Sequence, residues 1–405
     1  MRLASLLGAV FLAGCGAGAP VHAPFVFGAL LPFTGDQAAI GANVERTLIM
    51  VADSVNQAGG IHGAPAGIKT VDSHSDPSRG MIEAQKLLGI AELQAVLGPE
   101  EPFLAATLRE ALNARSVIDF LPGVATPARD GTNPSEFRIG PSAPVMAGAL
   151  AALMQGDGIT RLGIVYEQGP YGEQLSQLAS CEFKRASGFD AQLVPIANDA
   201  VVDDAFRRLS ATPPEAILLI AYPKTGARVV LNWSVSQTGP IRWYLAPTLD
   251  VDEFVDNVVP GSLDGATGIS PSKQTYAGAF DTQFNNRWSD FPMTISYYYY
   301  DSMAVLSLAM EAAEAKHQSL SDAILAVSNP PGELIAWNDL AHGLALVRQG
   351  MDINYDGLTG NVDIDPNRDV QQSLLRNFWV VGGKIQHSSL PFDYSQFLTT
   401  QCATP

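Results

Sequence analysis

Apolar positions follow two patterns that alternate along the first 250 residues of this chain. Short continuous apolar runs, such as 25–31 and 216–220, are typical of buried strands, whereas segments such as 40–55 repeat apolar residues at helical spacing. The pattern predicts strands at residues 25–31, 66–71, 94–97, 116–121, 162–166, 191–195, 216–220 and 242–245. It predicts helices at residues 40–55, 80–91, 103–113, 145–154, 172–187 and 226–236, and another near Ala205.

Strands that alternate with helices indicate parallel sheets covered by helices on both faces. A first series ends near residue 121 and a second begins after Pro141, so the pattern predicts an α/β protein with two doubly wound lobes. A length of 405 residues agrees with two or three compact units. From Gly265 onward, two long helical stretches and a strand-rich tail at 354–381 fit either lobe.

The N-terminus has the features of an export signal. Arg2 precedes an apolar stretch of about eleven residues, too short to span a bilayer but suited to secretion. The stretch ends in Leu12-Ala13-Gly14-Cys15, which resembles the bacterial lipobox, whose cysteine is lipidated and becomes the mature N-terminus. We predict a lipoprotein signal peptide at 1–15, lipidation at Cys15 and a flexible tether at 16–23. The alternative is an ordinary signal peptide with a chance cysteine.

Composition and charge narrow the function classes. Hydrophobic residues make up 47% of the chain and charged residues 16%, which favours a globular protein over a disordered or coiled-coil one. Lys and Arg number 24 against 41 Asp and Glu, giving a net charge of -17 without any basic run. Such a chain repels phosphate backbones, so we predict no nucleic acid as a partner.

One acidic cluster has residues of the kind that bind metals. Asp72, His74 and Asp76 alternate, so a continuous strand would place all three on one face. The competing interpretation is a strand end with Asp76 capping the next helix, and we favour it.

A second cluster has the spacing of a calcium-binding EF-hand loop. Its residues are Asp352, Asn354, Asp356, Gly357 and Asp363. Residues 361–364, however, are typical of a strand rather than of the helix that leaves an EF-hand loop. We therefore predict no metal ligands in either cluster.

Catalytic patterns are weak. Ser270-Pro271-Ser272-Lys273 and Lys224-Thr225-Gly226 imitate two elements of penicillin-recognising serine enzymes, but their order is reversed and no S-D-N occurs. The sequence has no G-x-S-x-G, no H-E-x-x-H and no P-loop, and its six histidines are scattered. We predict neither enzymatic activity nor a cofactor.

The segments that follow the predicted strands carry the clearest indication of function. Ligands of open α/β sheets bind beyond the carboxyl ends of the strands. The relevant segments are P-x-T-G at 32–35, N-x-x-G-G-I-x-G at 56–63, D-x-x-S-D-P at 72–77, G-P at 98–99, A-T-P at 125–127, Y-G at 171–172, Y-P at 222–223, the cluster 297–301 and N-Y-D-G-L-T-G at 354–360. This ordered set resembles the branched-chain amino acid binding family of type I periplasmic binding proteins, over nearly all of the chain after residue 23.

The resemblance implies two Rossmann-like lobes joined by a three-strand hinge, with crossovers near Gly140, Gly268 and Gly350. Lobe 1 would comprise 24–140 plus 269–350, and lobe 2 would comprise 141–268 plus 351–405. A protein of this kind captures a small ligand between its lobes by hinge closure, and an ABC permease in the inner membrane recognises the closed shape. We therefore expect a solute-binding protein of an ABC importer in the periplasm, attached to the membrane only by its lipid anchor.

The resemblance also implies positions for the ligand site. Thr126, Tyr171 and Tyr222 keep hydroxyl and aromatic positions of the family, and Ala125 and Tyr297 lie in matching segments. The side chains of Thr126, Tyr171 and Tyr222 are equally suited to capping a helix or packing in a core.

Two segments depart from the family. Glu100-Glu101-Pro102 stands where the amino acid binders offer a hydroxyl and backbone amides to the ligand carboxylate, and Pro102 has no amide hydrogen. Thr248 stands where the family commonly places a glutamate for the ligand ammonium. If the two glutamates face the cleft, the site suits a neutral or cationic, partly planar ligand such as an amide, a nucleobase-like ring or a small amine. If they point to solvent and complement the helix dipole, an amino acid remains a candidate.

Two cysteines remain after the signal peptide, in a compartment that permits disulfides. Cys181 lies in the second lobe and the family's tail returns to that lobe, so we expect a disulfide between Cys181 and Cys402. Two alternative functions use the same fold: a ligand sensor for a signalling partner, and an envelope-synthesis regulator that acts through protein–protein contacts. A cleft plugged by its own side chains would favour the regulator.

Overall fold

The computed structural model describes residues 25–35, 37–99, 102–122, 132–197, 209, 213–235, 241–370, 374–393 and 402. The strands are β1 (Phe25–Leu31), β2 (Ala66–Asp72), β3 (Leu93–Leu97), β4 (Ile118–Leu121), β5 (Glu136–Arg138), β6 (Leu162–Glu167), β7 (Gln192–Ile196), β8 (Ala216–Ile220), β9 (Arg242–Leu245), β10 (Thr267–Pro271), β11 (Glu333–Ala336), β12 (Ile353–Gly357), β13 (Gly360–Asn361), β14 (Leu374–Val381), β15 (Lys384–His387) and β16 (Phe392–Asp393). The helices are α1 (Ala38–Gln57), α2 (Pro77–Leu88), α3 (Pro102–Ala114), α4 (Ala143–Gly156), α5 (Pro170–Ser187), α6 (Pro223–Val235), α7 (Asp252–Asp256), α8 (Gly278–Trp288), α9 (Thr294–Ala315), α10 (Leu320–Ser328) and α11 (Leu340–Arg348).

The first sheet has apolar residues on both faces of its central strands. In β1, Phe27 and Leu31 pack into the core that contains α1 and α9, whereas Leu30 packs into the core that contains α2 and α3. Its five strands are all parallel, in the order β2-β1-β3-β4-β5. This arrangement places all the carboxyl ends of the strands at one edge of the sheet.

The second sheet is built in the same way and is extended by antiparallel strands. In β8, Leu218 and Ile220 face the core formed with α4 and α5, whereas Ile217 and Leu219 face the core formed with α6 and α7. The order is β15-β14-β10-β9-β8-β6-β7, with β16 paired to β14. The strands from β10 to β7 are parallel, and β14 runs antiparallel to β10 and β15. The α/β fold with two doubly wound lobes is therefore confirmed.

A helix that is buried on all sides anchors the first lobe. Every residue of α9 from 296 to 312 is buried, including Ser296, Asp301, Ser302, Ser307 and Glu311, so this part of the helix turns no face to solvent. Residues of α1, α10 and α11 share its core. The small third sheet, in which β12 pairs parallel with β11 and antiparallel with β13, adds further residues to the same core.

The chain passes between the two lobes three times. The first crossover lies between Arg138 of β5 and the start of α4, close to the expected Gly140. The second follows Pro271, because Gly268 lies inside β10, which pairs with β9 and β14.

The third crossover lies between Val370 and Leu374 instead of near Gly350. Residues 351–370 were expected in the second lobe, yet Tyr355 and Val362 are buried in the core of the first. The reason is that β12 takes β11 of the first lobe as its parallel partner, a pairing that the strand-rich pattern of the tail does not reveal. The chain joins the second sheet only at β14.

A buried ion pair connects two of the crossover segments. The Arg138 side chain has no exposed surface, and one terminal nitrogen donates to both carboxylate oxygens of Asp369 at 2.7 Å. The Arg138 backbone N–H also donates to the carbonyl of Arg368, at 3.1 Å. The first and third crossovers therefore run side by side.

A disulfide attaches the end of the chain to the second lobe. Cys181 of α5 and Cys402 are bonded, with 6.0 Å between their α carbons. The Cys402 backbone N–H also donates to Oε1 of buried Glu182, at 3.3 Å. This is the pairing that the sequence resemblance implied.

Candidate ligand-binding site

Three of the predicted site residues meet at the carboxyl edge of the second sheet. Tyr171 begins α5 after β6, Tyr222 follows β8, and Thr248 lies in the short 3-10 turn after β9. The Tyr171 and Tyr222 rings lie 5.6 Å apart between centroids, tilted by 37°. The Tyr171 hydroxyl lies 3.4 Å from Oγ1 of Thr248. We call Tyr171, Tyr222 and Thr248 the tyrosine cluster.

Hydrogen bonding sets what the tyrosine cluster can offer a ligand. Thr248 donates its hydroxyl proton to the carbonyl of Ala221, at 2.6 Å, so in the pair with Tyr171 the phenol is the donor. Burial raises the pKa of Tyr171 to about 12, although its hydrogen bonds to Thr248 act in the opposite direction. The phenol therefore stays neutral near pH 7. Its oxygen keeps lone pairs that can accept a hydrogen bond from a ligand N–H or O–H.

Glu167, which the sequence analysis did not single out, and Gly172 of the Y-G motif position the cluster. Buried Glu167, at the end of β6, accepts the backbone N–H of Tyr222 through Oε2 at 2.9 Å. A β carbon at Gly172 would lie only 1.9 Å from the Glu167 carbonyl oxygen, so the residue after Tyr171 must be glycine. The Y-G motif therefore has a steric reason.

The first lobe contributes a hydrogen-bonded cluster at its own carboxyl edge. The Thr34 hydroxyl lies 2.7 Å from Oδ2 of Asp72 and 2.8 Å from Nδ1 of His74. Oδ1 of Asp72 accepts the backbone N–H groups of Phe33 and His74. Burial raises the pKa of Asp72, but the bonds from Thr34 and these amides outweigh it and lower the pKa overall. The cluster fixes the loops after β1 and β2.

Asp72, His74 and Asp76, the alternative metal set that the sequence analysis did not favour, do not all meet: Nδ1 of His74 lies 2.9 Å from Oδ2 of Asp72, but Asp76 has another partner. His74 and Ser75 have positive φ angles of 59° and 50°, so the chain turns here instead of continuing as a strand. Asp76 accepts the backbone N–H of Arg79 at 2.8 Å and caps α2. Within the described ranges, no three His, Cys, Asp or Glu side chains are grouped so that they could hold a metal ion.

The other alternative motifs are also divided among separate partners. In the EF-hand-like segment, Asp356 lies in β12 and accepts from the Tyr276 hydroxyl, whereas Asp352 pairs with Lys316. In the S-x-x-K segment, Ser270 donates to Asp250 at 2.6 Å, whereas Lys273 pairs with Asp281. No nucleophile and base are paired there.

Four predicted ligand residues, Glu100, Glu101, Ala125 and Thr126, lie outside the described residues, as does Cys15. Pro102 begins α3, whose N-terminus lies at the carboxyl edge of the first sheet. The first-lobe half of the ligand site therefore stays a prediction.

Tyr297 lies in a different place from the tyrosine cluster. Its hydroxyl donates to Oδ1 of Asp281 at 2.7 Å and accepts from Lys273, whose ammonium lies 4.5 Å above the Tyr297 ring centroid. Burial, together with the bond to Asp281, raises the pKa of Tyr297 well above its ordinary value. Tyr297 lines a cavity of about 220 Å³ next to the second and third crossovers, which we call the hinge cavity.

Asp250 connects the loop of Thr248 with Arg376, which lines the hinge cavity. It follows Thr248 by two residues, and its carboxylate accepts from Ser270 and from Arg376 of β14, the latter at 3.2 Å. His387 lies 2.7 Å from its other oxygen. Burial raises the pKa of Asp250, but the His387 bond and the positive Arg376 outweigh it and lower the pKa overall.

The family assignment follows from comparison with known proteins. A family model described as periplasmic binding protein matches residues 24–372. The chain belongs to this family. It is 24% identical over 378 residues to the chemotactic signal transduction system substrate-binding protein BasB of Halobacterium salinarum, covering 84% of this chain and 83% of that one. It is 26% identical over 181 residues to Leu/Ile/Val-binding protein homolog 3 of Brucella melitensis, a match to 44% of this chain and 48% of the relative.

Solved structures show the same fold. A leucine-binding protein LivK from Thermotoga maritima has a TM-score of 0.70 at 16% identity, covering 90% of this chain and 97% of that chain. A solute-binding protein from R. palustris in complex with benzoate has a TM-score of 0.68 at 15% identity, covering 91% and 97%. The resemblance to the branched-chain amino acid binding type of periplasmic binding protein is therefore confirmed, and so is the prediction of a binding protein rather than an enzyme.

The family name places such proteins outside the cytoplasmic membrane. Of the helices in the described part of the chain, none combines the length and apolar character that a bilayer span requires.

Proposed function

We propose that this protein is the extracytoplasmic solute-binding component of an ABC importer and captures a small polar ligand between its lobes. The observation that carries the proposal is the tyrosine cluster. It brings together, at the edge where α/β sheets bind ligands, three uncharged residues from three different strand-end loops. Closure about the three crossovers would cover a ligand from the first lobe.

The ligand class follows from the chemistry of this cluster. Two tyrosine rings present apolar surface suited to a planar group, and the Tyr171 oxygen accepts a hydrogen bond. None of the three side chains can pair with a ligand ammonium by charge, and Thr248 occupies the loop position where the sequence resemblance places a glutamate. We therefore propose a neutral or cationic, partly planar ligand such as an amide, a nucleobase-like ring or a small amine, and we assign the pairing with a cationic group to Glu100 and Glu101 of the first lobe rather than to this cluster.

A thermal-shift screen tests this proposal. A ligand at one hundred times its dissociation constant stabilises the protein by about 2.7 kcal/mol, which is a measurable increase in Tm. We expect amides, amines or heterocycles to raise Tm and a Tyr222→Ala variant to lose the response. Tyr276→Ala, a substitution at a tyrosine outside the cluster, serves as the control. A strong response to leucine, isoleucine or valine, with none to the other compounds, would contradict the ligand class and leave the transport function intact.

We also propose that Cys15 carries a lipid anchor and that the protein is held at the membrane in the periplasm. Support comes from the lipobox-like segment and from the family of the chain. Stable anchoring needs two acyl chains or an equivalent second signal. We expect a Cys15→Ser variant to leave the membrane fraction on cell fractionation, and mass spectrometry to find an acylated mature N-terminus at residue 15. A variant that stays with membranes would contradict the anchor.

A second candidate function is ligand sensing for a signalling partner. The relative with 84% coverage of this chain is described as part of a chemotactic signal transduction system. Transport and sensing share the ligand cleft and differ in the membrane protein that binds the closed form. Co-purification of membrane proteins with the ligand-loaded protein separates them: a permease supports import, and a receptor supports sensing.

A further inference from the structure

The hinge cavity is enclosed by both lobes. Arg376 of β14 belongs to the second sheet, and Ser272 directly follows β10 of that sheet. The opposite side is formed by Thr294 and Tyr297 of α9 and by Phe291, whose carbonyl accepts from Asn43 of α1. A molecule in this cavity would contact both lobes at the crossovers.

Hydrogen bonding at the cavity wall favours an anion. Two carboxylates match the cations Lys273 and Arg376, and all their oxygens have partners: Asp281 lies on the wall, and Asp250 accepts from Arg376 and Ser270 and lies 2.7 Å from His387. Both oxygens of Asp281 are already used, one by Lys273 and the other by the Tyr297 hydroxyl. A cationic ligand would therefore have to displace an existing bond, whereas an anion would not.

Arg376 retains unused donor capacity. Its hydrogen bonds run from Nε to Ser270 at 3.4 Å, and from Nη2 to Asp250 at 3.2 Å and to Thr294 at 3.5 Å. Nη1 makes no hydrogen bond to any residue in the described part of the chain. A guanidinium has five N–H donors in a planar fork that matches a carboxylate, so this side chain is incompletely paired.

The other residues of the cavity wall, and the cavity volume, limit the size and chemical character of the ligand. The Tyr297 ring, Pro292 and the exposed Phe291 offer apolar surface beside the two cations. The volume of about 220 Å³ lies below the range of roughly 300–1,000 Å³ that drug-sized ligands occupy. The cavity therefore suits a small acid with an apolar or aromatic body.

We propose that the hinge cavity is a second small-molecule site, which binds a monocarboxylate through Arg376 and Lys273. It is separate from the tyrosine cluster, because none of Tyr171, Tyr222 and Thr248 lines the hinge cavity. The proposal does not depend on the identity of the ligand in the tyrosine cluster.

Isothermal titration calorimetry with benzoate tests this site, with benzamide as an uncharged ligand of the same shape. In a Tyr222→Ala background, which removes binding of amides at the tyrosine cluster, we expect benzoate to bind at least tenfold more tightly than benzamide, and Arg376→Gln to lose at least tenfold in benzoate affinity. Arg242→Gln is the matched control, because Arg242 is half exposed and pairs with Asp157 away from the cavity. It should bind benzoate like the wild type.

A second variant keeps the test valid if Arg376→Gln misfolds. Thr294→Phe fills the cavity and leaves both ion pairs in place, so it should also abolish benzoate binding while circular dichroism stays unchanged. Three results would overturn the proposal: equal binding of benzoate and benzamide in the Tyr222→Ala background, benzoate binding that survives both Arg376→Gln and Thr294→Phe, or no binding at millimolar benzoate. Loss of benzoate binding in Tyr222→Ala but not in Arg376→Gln would place the anion in the tyrosine cluster and would also contradict it.

Discussion

Two buried carboxylates, one in each lobe, respond to burial in opposite ways. Asp301 of α9 has 0% exposure and Asp250 has a 5% exposed side chain, so both are almost excluded from water. Burial raises the pKa of Asp301 to about 6, although its hydrogen bonds act in the opposite direction. The pKa of Asp250 is lowered, because His387 and Arg376 outweigh its burial.

The difference lies in the charge of the partners. Asp301 accepts four hydrogen bonds, all from neutral groups: the Tyr355 hydroxyl, the Leu358 N–H, and the N–H and hydroxyl of Thr359. Asp250 accepts from a guanidinium and lies beside an imidazole. Neutral donors give a buried carboxylate its hydrogen bonds but do not offset the loss of its hydration. A nearby cation does offset that loss. The partners therefore decide the direction of the pKa shift.

Asp301→Asn should have the largest effect on the free energy of unfolding. An asparagine amide would face N–H or O–H groups that have no access to water, so at least two buried donors lose their acceptor. We expect a loss on the order of 4 kcal/mol, measured by urea denaturation. Asp252→Asn, at an exposed position of α7, is the control and should stay within about 0.5 kcal/mol of the wild type. A loss below about 1 kcal/mol in Asp301→Asn would contradict this account.

Cys402→Ser tests the other lobe, which the disulfide restrains. The bond joins residues 221 apart in sequence, and removal of a native disulfide typically costs about 2–4 kcal/mol. We expect a loss of about 3 kcal/mol under non-reducing conditions. Reductant should lower the free energy of unfolding of the wild type to that of the variant. If reductant lowers the free energy of unfolding of both proteins equally, the bond does not stabilise the lobe.

The pH dependence of unfolding should reveal Asp301 directly. Its folded pKa of about 6 lies above the ordinary value of 3.8, so the folded state takes up the proton first and this group adds stability as the pH falls. Between pH 7 and pH 4.5, we expect the gap between wild type and Asp301→Asn to widen by about 2 kcal/mol. The free energy of unfolding of Asp252→Asn should change with pH in the same way as that of the wild type. A constant or narrowing gap would mean that Asp301 is not the group whose pKa is raised.

Asp250→Asn should have the smallest effect of the four. Two of its three donors can turn to solvent, because Arg376 has 21% and His387 34% of the side chain exposed, and the amide oxygen can still accept from buried Ser270. We expect a loss of about 1–2 kcal/mol, again by urea denaturation. A loss as large as that of Asp301→Asn would show that access of the donors to water does not explain the comparison.

The sequence predicts the strands best where burial is continuous. The runs 25–31, 216–220 and 242–245 are strands with those same bounds, because both faces of each are covered. Five strands of the described chain are missed: β5, β10, β11, β15 and β16. The sequence of β5 is Glu-Phe-Arg, in which the charged residues are buried by pairing rather than by apolar character, and β11 is largely exposed.

The sequence likewise predicts one part of the candidate sites and misses another. The tyrosine cluster is found from sequence because each residue lies a few residues beyond the end of a strand, and the strand ends meet at one edge of a parallel sheet. The hinge cavity is not found, because it joins Lys273, Tyr297 and Arg376 through crossover positions that the sequence pattern does not fix. The resemblance placed Tyr297 with the other tyrosines, and only the packing of α9 shows that it contacts Asp281 and Lys273 instead.

The route of the chain through its two sheets has a consequence for biosynthesis. Because β14 lies between β10 and β15, the second sheet lacks the strands on that side until residues 374–387 are made. The core of the first lobe is also completed late, because it contains residues of α9 and β12. A nascent chain with this connectivity cannot finish either lobe while it is still being synthesised. It stays unfolded for longer, which is the state in which a polypeptide is threaded through a membrane channel.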